Sequence, residues 1–167
     1  NSHYSNFFAL TIFIVASITD AFDGYYARKY NIETEIGNFL DPLADKILIS
    51  SAFISFYILD LIDIWMVVII LFRDIFVTFL RVYMKKNGQS LRTSRIAKLK
   101  TAVQLILIIF ILVFLSIEGL GINTLSFVSS FILKNNIVYN AAFIVTIFTF
   151  YTGLRYFQNN YDLLKKL

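Results

Sequence analysis

Cysteine is absent from the 167 residues, so disulfide frameworks, thiol nucleophiles and thiolate metal sites are excluded. Histidine occurs once, as His3 at the N-terminus, which sets aside His-ligated zinc and imidazole acid–base chemistry. Proline also occurs once and glycine six times, so little interrupts long helices. Charge is sparse too, at 16% of residues against the roughly 25% of soluble domains. Hydrophobic residues reach 58% and aromatics 17%. A soluble fold could not cover that, because even a domain of about 150 residues leaves about a third of its surface exposed. Soluble, disulfide-rich and disordered classes are therefore excluded. An all-α, polytopic transmembrane helix bundle is expected.

Five stretches are long and apolar enough to be read as spans: roughly Ser5–Lys29, Ile36–Leu59, Ile64–Lys86, Ala97–Ile117 and Ile137–Phe157. Between the last two, LSFVSSFIL is too short to cross and reads as an interfacial piece. No repeat, linker or low-complexity tract divides the chain, so residues 1–167 are read as a single transmembrane domain. Most of the 15 Lys and Arg fall on one side of this layout: Arg28 and Lys29, the run Arg81 to Lys100, and Arg155, Lys165 and Lys166. By the positive-inside rule that side is cytoplasmic, and the net charge of +4 meets anionic lipid there. Membrane lipid is thus an expected partner and nucleic acid is not. The chain starts with Asn, and its first span enters from outside without a signal peptide. A preceding span, six in the complete protein, is the expectation.

Four aspartates stand in these apolar stretches. Asp20 and Asp23 are three apart and Asp41 and Asp45 four apart, spacings that put each pair on one helical face. A short turn near Asn31–Thr34 makes the two helices antiparallel neighbours, with the carboxylates at their cytoplasmic ends. Crowded carboxylates in low dielectric repel one another, so cations must compensate. With oxygen donors alone, hard ions are indicated, Mg²⁺ or Mn²⁺, and two ions suit in-line displacement at phosphorus. Gly24, Ala27 and Gly37 leave room for a nucleotide or pyrophosphate near the backbone, and Arg28 offers a fork to phosphate oxygens.

Asp20-x₂-Asp23-Gly24-x₂-Ala27-Arg28-x₈-Gly37-x₃-Asp41-x₃-Asp45 resembles the signature of the CDP-alcohol phosphotransferase family, without a gap. Each of these fixed positions matches by chance roughly one time in fifteen, which makes coincidence over all of them negligible. Within that family, DPLADK (41–46), RDIFVTFLR (73–81) and AKLKTAVQ (97–104) resemble the branch whose acceptor is glycerol 3-phosphate. Ala97 stands where that branch has Gly, and Asp74 where it usually has Glu.

The resemblance implies transfer of the phosphatidyl group from CDP-diacylglycerol to sn-glycerol 3-phosphate, giving phosphatidylglycerophosphate and CMP. It implies that Asp20, Asp23, Asp41 and Asp45 hold two metal ions, with Asp45 also the general base. CDP-diacylglycerol is then expected at Asp20, Asp23, Gly24, Ala27, Arg28 and Gly37. The acceptor phosphate asks for a basic pocket: Arg73, Arg81, Lys98 and Lys100, with Arg92 and Arg95 as weaker candidates. For Arg73 and Asp74, a structural ion pair with another helix is the rival reading, and for 81–100 a lipid anchor. The resemblance also suggests a homodimer, and the richness in Ile, Phe, Asn and Lys points to a bacterial gene, hence a bacterial plasma membrane. Related acceptors, namely phosphatidylglycerol, inositol or its phosphate, or serine, stay open. So does a divalent-cation transporter, although it would not explain Gly24, Ala27 and Arg28 at fixed spacing. Asp60 and Asp63 read as polar loop, and Glu33 and Glu35 as solvated turn.

Overall fold

The computed structural model describes the backbone of residues 3–30, 35–86, 95–120 and 126–161. Within these, the side chains of residues 3–4, 20–21, 23–29, 35–43, 45, 85–86, 95–98, 120 and 126 lie outside the described set. All regular structure among the described residues is helical: α1 His3–Tyr30, α2 Glu35–Ile58, α3 Ile64–Lys86, α4 Arg95–Leu120, α5 Ser126–Lys134 and α6 Ile137–Asn159. The five long helices coincide with the five expected spans to within a few residues. The short α5 falls on the stretch read as interfacial, and α4 runs three residues past the expected end at Ile117, to Leu120.

Length follows from the scarcity of breakers. At about 1.5 Å per residue, the 23 residues of α3 reach about 35 Å, enough for a hydrocarbon layer of about 30 Å. Among the described residues, Leu99–Gly119 and Ile137–Asn159 are long and apolar enough on composition alone to cross a membrane. Ser5–Thr19 and Lys46–Ile58 are shorter apolar pieces of α1 and α2. Large apolar side chains face outward on every helix, among them Phe8, Ile47, Phe79, Ile106, Phe127 and Ile144. An exterior this greasy matches a surface solvated by lipid.

The chain forms two compact units. One comprises Asn1–Ala52 and Ile108–Val138; the other comprises Phe53–Leu107 and Tyr139–Leu167. The first holds α1, α5, the opening three-quarters of α2 and the closing half of α4. Its buried residues include Phe13, Ile49, Ile108, Ile111 and Phe114. Asn6 ties α1 to α4 by donating from Nδ2 to the Leu115 carbonyl at 3.2 Å.

The second unit holds the end of α2, all of α3, the start of α4 and nearly all of α6. Phe53, Phe56, Met66, Ile70 and Met84 are its largest buried apolar side chains. Asp60 and Asp63 fall in the connection between α2 and α3, as read from the sequence, and each has a structural part there. Asp60 adopts a left-handed backbone, φ 56°. Its N–H bonds to the Tyr57 carbonyl at 2.9 Å while that of Leu61 bonds to Phe56 at 3.0 Å, so the pair closes α2 in a Schellman motif. Asp63 starts α3: its carbonyl accepts from the Met66 N–H at 3.1 Å. Its carboxylate accepts from Trp65 Nε1 at 3.0 Å and the Tyr139 hydroxyl at 2.7 Å, joining α3 to α6. Trp65 then meets Phe143 edge-on, with ring centroids 5.9 Å apart.

Candidate active site

Asp20, Asp23, Gly24, Ala27 and Arg28 lie in the second half of α1, and Gly37, Asp41 and Asp45 in the first half of α2. All eight belong to the first unit. Helical backbone at these positions makes the spacings of three and four residues real single-face repeats. The side chains of all eight lie outside the described residues. Ser17, one turn before Asp20, has a buried hydroxyl with no partner among the described residues. The donor chemistry fits a hard divalent cation: four carboxylates, no cysteine in the chain, and its one histidine in the first turn of α1. Among the described residues no other group of three or more His, Cys, Asp or Glu could hold a metal.

In the second unit α3, α4 and α6 enclose a second polar group. Lys100 on α4 is fully buried and donates from Nζ to both carboxylate oxygens of Asp74 on α3, itself 3% exposed. Arg73 donates from Nη1 to Asp74 Oδ1 at 3.2 Å. One carboxylate thus collects two cations. Burial makes this pairing obligatory, since stranding either charge in low dielectric costs about 3–5 kcal/mol. The other two nitrogens of Arg73, Nε and Nη2, are buried and have no partner among the described residues. These two N–H groups form the side-on edge of the guanidinium, the edge that matches two oxygens of one phosphate or carboxylate.

α6 completes the group with a stripe of buried Thr146, Thr149 and Tyr156 and half-buried Gly153, continued by the buried Asn160 just past its end. Gln104, one turn beyond Lys100, donates from Nε2 to Thr149 Oγ1 at 3.4 Å. A Cβ on Gly153 would stand 3.0 Å from Arg73 Cγ, so glycine is what lets the arginine stem pass α6. Two of these polar groups are satisfied by α6 carbonyls: Thr146 Oγ1 donates to that of Ala142 and Asn160 Nδ2 to that of Tyr156, both at 2.8 Å. Gln104 Oε1 and the Tyr156 hydroxyl have no partner among the described residues. Buried polar atoms left without partners cost about 1–3 kcal/mol each, which makes this a place where a polar ligand is welcome.

The expected acceptor residues therefore part company. Arg73 and Lys100 share one carboxylate in the interior. Arg81 is exposed near the end of α3, while Lys98 and Arg95 lie in the first turn of α4 with side chains outside the described set. Arg92 is outside the described residues altogether. The ion pair between helices that rivalled a ligand role exists, but Lys100 makes it; Arg73 bonds to its own sequence neighbour.

Sequence reasoning passed over Asp74 as a gathering point and gave Thr149, Gly153 and Tyr156 no role. The α6 stripe was detectable, since polar or small residues recur at alternating steps of three and four in an apolar segment. The link from Asp74 to Lys100, 26 positions apart, had no local signal.

A family model described as CDP-alcohol phosphatidyltransferase matches residues 2–152, a range that includes residues of both units. A Bacillus subtilis protein named CDP-diacylglycerol–glycerol-3-phosphate 3-phosphatidyltransferase is 38% identical over 154 residues, covering 92% of this chain and 74% of the relative. A Rickettsia typhi protein of the same name is 39% identical over 147 residues, or 88% of this chain and 76% of its own length. A Mycobacterium tuberculosis protein named "Probable phosphatidylglycerophosphate synthase" is 46% identical over 100 residues, 60% of this chain and 47% of that protein.

Proposed function

This chain belongs to the CDP-alcohol phosphatidyltransferase family, a family of membrane enzymes, and from that premise we propose that it makes phosphatidylglycerophosphate. The reaction joins CDP-diacylglycerol to sn-glycerol 3-phosphate and releases CMP. The observation that carries the reading is likeness along most of the chain to relatives named for this transfer, at 38% identity over 92% of its length. The ungapped run from Asp20 to Asp45 supports the same chemistry.

Phosphoryl-type transfer asks a protein for positioning and neutralisation of charge more than for covalent chemistry. Asp20, Asp23, Asp41 and Asp45 are the residues that would hold divalent ions, two of Mg²⁺ or Mn²⁺. Bound there, the ions would neutralise the pyrophosphate and polarise the phosphorus under attack. Gly24, Ala27 and Gly37 admit the nucleotide and pyrophosphate close to the backbone, and Arg28 binds a phosphate oxygen. Asp45 takes the proton of the glycerol hydroxyl. Arg73, with Lys100 beside it, binds the phosphate dianion of the acceptor, and Arg81 and Lys98 add charge to attract it. We read residues 1–167 as a single domain of a bacterial plasma-membrane protein, a five-span bundle acting on the cytoplasmic side as a homodimer.

The test is CMP release from CDP-diacylglycerol in detergent micelles containing Mg²⁺ or Mn²⁺. Glycerol 3-phosphate, phosphatidylglycerol, inositol phosphate and serine are offered separately, with Asp45→Asn beside the parent. Release with glycerol 3-phosphate alone, abolished in Asp45→Asn, is the expected result. Release with another acceptor would keep the family and move the function to that alcohol.

A further inference from the structure

The buried group on α3, α4 and α6 contains one anion with no part in the chemistry above, Asp74. We infer that Asp74 is a positioning residue for the acceptor: it fixes Arg73 so that the guanidinium's side-on edge meets the acceptor phosphate. The inference rests on the proposed glycerol phosphate reading and deepens it at one residue.

Three observations carry it. First, Asp74 Oδ1 takes Nη1 of Arg73 at 3.2 Å, which leaves Nε and Nη2 as the donors not committed to the carboxylate. Those two nitrogens are buried and without a partner among the described residues. They are parallel donors about 2.3 Å apart by the planar geometry of guanidinium, so they match a pair of oxygens on one phosphorus. Second, Asp74 is itself held, because Lys100 donates to both of its carboxylate oxygens from the neighbouring helix. A carboxylate on a helix interior, gripped from another helix, is a fixed reference for the arginine beside it. Third, the arginine stem runs against Gly153 of α6, where a Cβ would lie 3.0 Å from Cγ and 3.9 Å from Nε. Arg73 is thus held at its head by Asp74 and at its stem by α6, in one orientation.

A free arginine would lose several rotamers on binding an anion. A clamped one loses few, so the clamp raises affinity for the phosphate without touching it. The arrangement also explains why an acidic residue directly follows the binding arginine. Adjacent positions on a helix point about 100° apart, so Asp74 can hold Nη1 without standing in front of the Nε edge.

The experiment compares the Michaelis constants for glycerol 3-phosphate and CDP-diacylglycerol in the full chain and four variants: Asp74→Asn, Asp74→Glu, Lys100→Gln, and Asp74→Asn combined with Lys100→Gln. In the combined variant the carboxylate goes without stranding a buried ammonium, so a folding failure of Asp74→Asn alone leaves the comparison available. The expected result is a roughly tenfold rise in the constant for glycerol 3-phosphate, between parent and Asp74→Asn or between Lys100→Gln and the combined variant. The constant for CDP-diacylglycerol stays within about twofold, and Asp74→Glu restores the parental value to within about threefold. Equal shifts in both constants, or none in either, would overturn the positioning role. A parent that releases no CMP with glycerol 3-phosphate overturns the functional reading itself, a separate result from parental constants in the variants.

Discussion

The aspartate-bearing halves of α1 and α2 and the polar group on α3, α4 and α6 would serve their proposed functions by opposite means. In the first, chemistry is written as residue type and spacing: eight fixed positions within 26 residues on two helices. In the second, the same residue types occur in many membrane proteins, and what matters is which ones touch. Arg73 and Lys100 look alike in sequence, two cations in apolar surroundings. In the fold one is spent largely on a carboxylate and the other keeps its side-on edge. The lesson is that a carboxylate cluster announces itself, because nothing but cations can tolerate it, whereas a buried cation has many structural uses.

Substitutions can break or sharpen that contrast. The largest effect is expected from Asp45→Asn, a loss of roughly 10²–10⁴-fold in CMP release with little change in thermal unfolding. Because Asp45 is proposed as a metal ligand and base and not as a packing element, activity and stability should separate there. Chelation of divalent cations should abolish release in the parent, and Mg²⁺ or Mn²⁺ should restore it.

Lys100→Ala should do the reverse and act on stability first. It leaves the buried Asp74 carboxylate with Arg73 as its one cation among the described residues, at a cost of about 1.5–3 kcal/mol, read as a lower midpoint in thermal unfolding in detergent. A stable Lys100→Ala with a raised constant for glycerol 3-phosphate would instead make Lys100 chiefly a ligand. Next comes Arg73→Ala, which removes a charged pair of donors and should raise that constant roughly 10- to 100-fold. Release at saturating acceptor should persist, and steady-state kinetics with each substrate varied in turn would show it.

Gly153→Ala sits between the two behaviours. The added methyl meets Arg73 Cγ at 3.0 Å, so it should cost about 1–3 kcal/mol of stability and raise the constant for glycerol 3-phosphate severalfold. An unfolding midpoint at the parental value with unchanged kinetics would show that α6 gives way freely there. The smallest effect is reserved for the α2–α3 junction. Asp60→Gly relieves a left-handed residue, φ 56°, and should stabilise by about 0.5–1 kcal/mol without altering CMP release.

How much was legible beforehand follows the same division. The five long helices and the short α5 were readable because breakers are rare and the apolar runs have membrane length. Their ends shifted by a few residues, as helix ends do when capping decides them; α4, for example, begins at Arg95. Asp60 and Asp63 were read as loop because both are polar between apolar runs. The Schellman closure comes from the backbone reversal after α2, and the bond from Tyr139 from packing between helices distant in sequence. The motif residues were legible since spacing along one helix is local information.

The sequence by itself determined the class of the molecule and the place of its carboxylates. Hydrophobic content, helix length and the three- and four-residue spacings are properties of the chain that no packing arrangement can change. Only the tertiary structure decided the fate of the buried cations. Asp74 and Lys100 meet across 26 positions, and Arg73 passes α6 at Gly153, through contacts between helices distant in sequence. Low dielectric makes those contacts decisive, because a buried charge must find its partner wherever the fold places one.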